Sequence, residues 1–334
     1  MTPVAPLLAK LFDDAALFPP GNADMRAAVA AYLERAAAPE AALTGPFVCP
    51  DSRLAELAAE LDGHGPGRFP VSVVVPGGPP ALAEALAAAA RHPAISVQAV
   101  EVPVGTRAEA TPAEAPDDGG GRMPAGDGPM PAGGGGMSDE LSAVLAAIRD
   151  TDMPAGVPIY VEVPAGPGRD AAFDRLAALS FAGLRAKIRT GGTEARAFPD
   201  EPTLASALLG CVRRRLPFKL TAGLHHAVRH TDRDTGFEHH GFLNVLVAVA
   251  AAQAGAGHRL VTGVLAERNP ATLVNAAAVL TDDEQRAVRA AFVSFGTCSI
   301  HEPVADLVDL GLLRRKGAPS DGRRPGPSPR EHPS

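Results

Sequence analysis

Apolar residues along this chain fall into two alternating patterns. Short, nearly continuous runs such as Val71-Ser72-Val73-Val74-Val75 fit strands covered on both faces. Longer stretches repeat their apolar positions at helical spacing and lie between the runs. The runs predict strands over 15–18, 46–49, 70–75, 96–102, 158–163, 184–189, 218–221 and 292–296. Helices are predicted over 24–38, 52–61, 80–91, 139–149, 170–178, 202–214, 240–254, 271–280, 281–291 and 303–312. Capping residues support three of the starts: Asp24, Ser138-Asp139 and Thr281-Asp282-Asp283-Glu284.

Strands that alternate with helices pair in parallel. Eight such strands predict an α/β fold, a (β/α)8 barrel in one domain over 1–313. An open doubly wound sheet is the alternative. No Gly-x-Gly-x-x-Gly follows an early strand, which weakens a dinucleotide-binding reading. Two segments stand outside the pattern. Residues 105–137 are rich in Gly, Pro, Ala and Asp, and 314–334 in Pro, Arg, Gly and Ser. Neither composition can bury enough surface to offset its ordering entropy, so a disordered insertion and a disordered tail are expected.

Composition narrows the function. The hydrophobic share, 46%, suffices for a large core. A net charge of −7 speaks against a nucleic-acid partner. The most apolar stretch, 242–254, is too short to span a bilayer, so no membrane partner is expected. No basic region followed by an apolar stretch opens the chain, which predicts no secretory signal. The three cysteines, Cys49, Cys211 and Cys298, are widely spaced and odd in number. That predicts a reducing, cytoplasmic setting rather than a disulfide framework.

The chemistry gathers where a barrel would place it, at the carboxyl ends of the strands. The sixth strand carries Lys187 and Arg189 before Gly191-Gly192, and the seventh carries Lys219 and Thr221 before Gly223. Side chains two apart on a strand share a face. If that face is the interior, two ammonium groups and a guanidinium crowd one mouth. Repulsion and desolvation would then lower a lysine pKa to roughly 7–8, making it a nucleophile for carbonyls. The fourth and fifth strands end alike, in Val100-Glu101-Val102-Pro103 and Val161-Glu162-Val163-Pro164, so Glu101 and Glu162 could balance charge or move protons. In the competing structural reading the lysines reach the rim and pair with these glutamates. Cys49 and Cys298 fit small core fillers better than nucleophiles.

Five histidines fall between 225 and 240: His225, His226, His230, His239 and His240. They could hold a divalent metal ion, supply an acid or base, or simply bond to backbone and water. His240, at a helix start, is expected to be biased toward its neutral form. The turns after the last two strands, with Thr221, Gly223, Ser294 and Gly296, could grip an anion together with Arg189, Gly191 and Gly192.

The segments Ala186-Lys187-Ile188-Arg189-Thr190-Gly191-Gly192 and Lys219-Leu220-Thr221-Ala222-Gly223 resemble the lysine-dependent, class I aldolases of the β/α-barrel type, with the deoxyribose-phosphate aldolase group nearest. The resemblance covers about a tenth of the chain. It implies a Schiff base on Lys187, an electrostatic partner in Lys219, and a phosphate site near Thr221-Ala222-Gly223. Arg189 and Gly191-Gly192 depart from the small-residue turn of that group, and the His225-His226 pair has no counterpart in it.

Three functions follow. The first is a carbon–carbon lyase, without cofactor, acting on a small anionic carbonyl compound. In it Lys187 is the nucleophile, Lys219 tunes it, and Glu162, His225 or His226 moves protons. The second is a metal-dependent enzyme in which Glu101, Glu162, His225 and His226 hold a divalent ion and the lysines serve as acid/base groups. The third is a non-catalytic barrel that binds a small anion. A small-molecule partner is expected in each, and barrel helices leave room for a homo-oligomer.

Overall fold

The structure is a computed structural model that describes residues 6–62, 68–104 and 137–313. Among the described residues ten strands occur in chain order: β1 (Phe12–Asp14), β2 (Thr44–Pro50), β3 (Phe69–Val74), β4 (Ile95–Pro103), β5 (Ile159–Glu162), β6 (Leu184–Arg189), β7 (Phe218–Thr221), β8 (His230–Thr231), β9 (Glu238–His239) and β10 (Phe292–Thr297). The first seven and β10 close into a parallel barrel, with β10 seated between β7 and β1. Closure removes the doubly wound alternative. Strands β8 and β9 form a separate antiparallel hairpin that pairs His230 with His239.

The helices form the outer layer: α1 (Met25–Ala36), α2 (Leu54–Leu61), α3 (Leu82–Ala90), α4 (Met137–Asp150), α5 (Arg169–Ala178), α6 (Glu201–Arg213), α7 (Phe242–Gln253), α8 (His258–Ala266), α9 (Pro270–Ala278), α10 (Asp282–Ala291) and α11 (His301–Asp309). Asp24 caps α1 by accepting from the Ala27 amide at 2.8 Å. Thr281 and Glu284 form a reciprocal capping box on α10. Ser138, by contrast, lies inside α4 rather than capping it. Among the described residues no helix is long and apolar enough to cross a membrane.

Strand alternation sorts the side chains. Val71, Val73, Val100, Val102, Ile188 and Leu220 belong to the fully buried apolar core. The residues between them, Ser72, Glu101, Lys187 and Lys219, point the other way. Glu101 on β4 bonds to Lys219 on β7, and these strands are not neighbours, so the two meet through the barrel interior. The interior is thus polar, against the apolar filling usual for small barrels.

Several expected boundaries shift. The first strand is β1 at Phe12–Asp14, not 15–18, so Asp13 and Asp14 are part of the strand. The hairpin β8–β9 and helix α8 went unpredicted: two-residue strands carry no periodic signal, whereas α8 does space Leu260, Val261, Val264 and Leu265 at helical intervals and was overlooked. The insertion predicted over 105–137 and the tail over 314–334 lie outside the described residues, except Met137, which opens α4.

Candidate active site

Strand register brings the charged groups into line. Glu162 pairs with Lys187, and Lys187 with Lys219, along β5, β6 and β7. Ser294 on β10 stands beside Lys219. All four project inward, where Lys187 and Lys219 meet Glu101 from non-neighbouring strands, Lys219 also meets Asp13, and Ser294 meets Asp13 on the adjacent β1.

Lys219 is sealed, with 2% of its side chain exposed. Its Nζ donates to Asp13 Oδ2 at 2.6 Å and to Glu101 Oε1 at 2.5 Å. It also stands 5.3 Å from the centroid of the Tyr160 ring. The same two carboxylate oxygens each accept a second bond from a serine. Ser294 Oγ donates to Asp13 Oδ2 at 2.7 Å, and Ser72 Oγ donates to Glu101 Oε1 at 2.7 Å. Arg185 donates to the Tyr160 hydroxyl at 3.0 Å.

Lys187 sits nearer the mouth. Its Nζ is 2.8 Å from Glu101 Oε2 and 3.1 Å from Glu162 Oε2. Glu162 in turn accepts from Arg189 Nε at 3.0 Å, and Arg189 also donates to the Gly191 carbonyl at 3.3 Å. Exposure rises outward along this chain of charges, from 7% at the Lys187 side chain to 30% at Arg189.

The expected crowding of positive charge is corrected here. Asp13, Glu101 and Glu162 face Lys187, Lys219 and Arg189, three charges against three. Burial alone would lower the Lys219 pKa, but Asp13 and Glu101 outweigh it and hold the value above the ordinary lysine range. Burial would likewise raise Glu101, but Lys187 and Lys219 hold its carboxyl below the usual range. At Asp13 burial prevails over Lys219, and its carboxyl is raised. Lys219 is therefore a fixed ammonium, not a tuned amine.

The glycine turns lie over this network. Gly191 and Gly223 touch backbone to backbone: a Cβ on Gly191 would stand 2.7 Å from Gly223 Cα. Thr221 and Gly296 are register partners, and a Cβ on Gly296 would lie 3.8 Å from Thr221 Oγ1. Gly192 is exposed at the outer end of the β6 turn.

The histidines form a second group. His225 Nδ1 lies 3.0 Å from Glu302 Oε2 and 3.9 Å from Cys298 Sγ, at the carboxyl end of β10. His226 Nδ1 lies 3.1 Å from Asp306 Oδ2, whose oxygen also accepts from the Ala227 amide at 2.7 Å. Both histidines are thereby tied to α11, whereas Glu101 and Glu162 are tied to the barrel lysines. Among the described residues no three His, Cys, Asp or Glu side chains are grouped as a metal ion would need. His240 is buried, bonds to the Pro199 carbonyl at 2.7 Å, and is shifted toward its neutral form, chiefly by burial. Cys49 is buried, which pushes its thiol up to about 12 and makes it inert.

Two clefts lie apart from the lysines. One, of about 750 Å³, borders the hairpin and is lined by His226, Arg229, His230, Asp232 and Arg268 among others. The other, of about 300 Å³, is at the opposite end of the barrel, where Lys10, Thr44 and Phe69 enter β1, β2 and β3. Barrel chemistry, however, belongs to the carboxyl ends of the strands, where the charged network is.

Ser72, Tyr160 and Arg185 complete the site beside Asp13 and were not among the expected site residues. All three carried a signal. Tyr160 and Arg185 stand two residues before Glu162 and Lys187, hence on the same face. Ser72 is a lone polar residue in an apolar strand. Comparison with protein-family models, curated proteins and solved structures finds no match.

Proposed function

We propose that this chain is a carbon–carbon lyase that holds a small anionic carbonyl compound as a Schiff base on Lys187. One observation carries the reading: of two adjacent interior lysines, Lys219 is sealed between Asp13 and Glu101, while Lys187 contacts the solvent-touched Glu162. The fold supports catalysis in general terms, since barrels of this kind commonly carry enzymes.

In this reading Lys187 transfers a proton to Glu162, and the neutral amine attacks the carbonyl carbon. The carbinolamine takes a proton, loses water and becomes an iminium ion. That ion accepts the electron pair of the adjacent carbon–carbon bond as Glu162 takes the proton of the neighbouring hydroxyl, leaving a carbonyl fragment and an enamine. Protonation of the enamine and addition of water then free the second carbonyl product and Lys187. Lys219 remains charged throughout. It fixes Glu101, which in turn holds Lys187 in place. Arg189, at the mouth, would bind the anionic group of the substrate, with the Gly191–Gly192 and Gly223 turns alongside.

Reductive trapping tests this. The protein is incubated with pyruvate, glyoxylate or propanal plus cyanoborohydride, and peptides are mapped by mass. The expected adduct is on Lys187 and is absent from Lys187→Met. An adduct confined to Lys219 overturns the assignment. No adduct with any probe, together with an activity that depends on a divalent ion, favours the metal-dependent reading instead.

A further inference from the structure

The turns that follow β6 and β7 are zipped together. The Thr190 amide donates to the Thr221 carbonyl at 2.9 Å, and Thr190 Oγ1 donates to the Ala222 carbonyl at 2.5 Å. Ala222 (φ 62°) and Gly223 (φ 74°) are both left-handed. For alanine that conformation is costly and persists only when its surroundings enforce it.

Phe198 supplies part of that enforcement. It lies in the segment between β6 and α6, directly after the 3-10 turn Ala195–Ala197. Its Cε1 would be 2.8 Å from a Cβ on Gly191 and 3.0 Å from one on Gly223, so one ring edge covers both turns. The ring is itself stacked on His239 of the hairpin, with centroids 4.4 Å apart and planes at 23°. Phe237 packs beside it at 5.6 Å. The Nε2 atom of His239 is buried and has no hydrogen-bond partner among the described residues.

We propose that Phe198 is a positioning residue for the lysine-bearing strands, and that His239 holds it there as a latch that protonation releases. The geometry stands alone; its consequence for Lys187 rests on the function proposed above.

The chemistry of the latch follows from the orphaned nitrogen. A neutral imidazole can leave Nε2 as a bare lone pair against the Phe198 ring. An imidazolium would bury an N–H with no acceptor, which is expensive. Burial accordingly holds His239 down at about 4, below the ordinary 6.5. Of the groups that face it, His230, His225 and His226 oppose a further positive charge and Asp232 favours one. Once the stack opens, His239 regains water and titrates near its ordinary value. As pH falls from 6.5 toward 4, proton binding therefore favours the open hairpin, and the turns over Lys187 and Lys219 lose their cover.

Hydrogen exchange of the full-length protein, followed by mass spectrometry and corrected for intrinsic pH dependence, tests this at the Thr190 amide. Phe198→Ala should raise its exchange about tenfold or more at pH 7.5, with Phe198→Tyr restoring it. From pH 7.5 to 5.0 exchange should rise in the parent protein and stay level in His239→Phe, which keeps the stack but cannot be protonated. Thr190 exchange unchanged in both Phe198→Ala and the milder Phe198→Leu overturns the positioning role. A pH response in His239→Phe equal to that of the parent overturns the latch. Trapping of pyruvate on Lys187 is measured in parallel. If the parent protein traps nothing, the proposed function fails while the exchange data still decide this inference.

Discussion

Glu101 holds both barrel lysines at once: Oε1 accepts from Lys219 at 2.5 Å and Oε2 lies 2.8 Å from Lys187. Neither lysine is adjacent to β4 in the sheet, so this carboxylate ties three strands together across the interior. It also keeps two ammonium groups from facing each other unscreened. Glu101→Gln should remove that screening while keeping the shape. Breaking a buried ion pair on one side typically costs 3–5 kcal/mol. A loss of about that size is expected in urea unfolding, with a smaller one for Ser72→Ala, which removes one hydroxyl donor and leaves both charges paired. Equal losses for the two variants would show that Glu101 is not the hub.

The same network fixes a pH window. Glu101 titrates below its ordinary 4.5 in the folded chain. Its contribution is therefore complete above 4.5 and is lost as pH falls through the lower folded value. Asp13 runs the other way: raised above 3.8, it favours the folded state as pH falls and offsets part of that loss. Lys219, raised above 10.5, contributes fully below 10.5 and loses its contribution as pH rises through the folded value. The contribution of this network to the thermal midpoint should form a plateau from about 4.5 to 10.5, with a fall on each side. Lys219→Met should lower the plateau and flatten its alkaline shoulder. An alkaline limb of the same steepness in that variant would mean that other groups set it.

The contrast between β6 and β1 shows what could be read from the chain alone. Strands β6 and β7 match their predicted spans because each alternates apolar with polar residues and meets a glycine two residues after its end. Strand β1 is only Phe12-Asp13-Asp14, and two consecutive aspartates look like a turn or a helix cap. They are buried because Asp13 meets Lys219 and Asp14 meets Arg35 on α1. The balancing of charge around Lys219 was hidden for the same reason. Its neighbours in sequence are apolar, and the carboxylates that hold it lie 118 and 206 residues away. The partners of His225 and His226 are hidden likewise, 77 and 80 residues downstream on α11.

The tie between His226 and Asp306 gives a further prediction. The Asp306 carboxylate beside it raises His226 above the ordinary imidazole value of 6.5. A raised histidine stabilises the fold fully below 6.5 and loses that contribution as pH rises through its folded value. Asp306→Asn should bring the His226 titration, followed by NMR, back toward 6.5. It should also flatten the dependence of stability on pH just above neutrality. His225 pairs with Glu302 rather than Asp306. A His226 midpoint unmoved by the substitution would show that the tie is absent in solution.

Glycines at two positions should respond to alanine with opposite signs. Gly263 is exposed in the middle of α8, and a Cβ there meets nothing within 4 Å. Glycine inside a helix costs about 0.5–1 kcal/mol relative to alanine, so Gly263→Ala should stabilise by roughly that amount. At Gly191 a Cβ would sit 2.7 Å from the Gly223 backbone and 2.8 Å from Phe198. A ring edge can shift, but the β7 turn cannot move without breaking the two bonds that Thr190 makes to it. Overpacking of this kind typically costs about 1–3 kcal/mol. Gly191→Ala should therefore lower the urea midpoint, and it should reduce trapping on Lys187 by displacing the end of β6. Gly191→Ala with unchanged stability and full trapping would mean that the two turns are free to separate, and that the lysines do not depend on the cover above them.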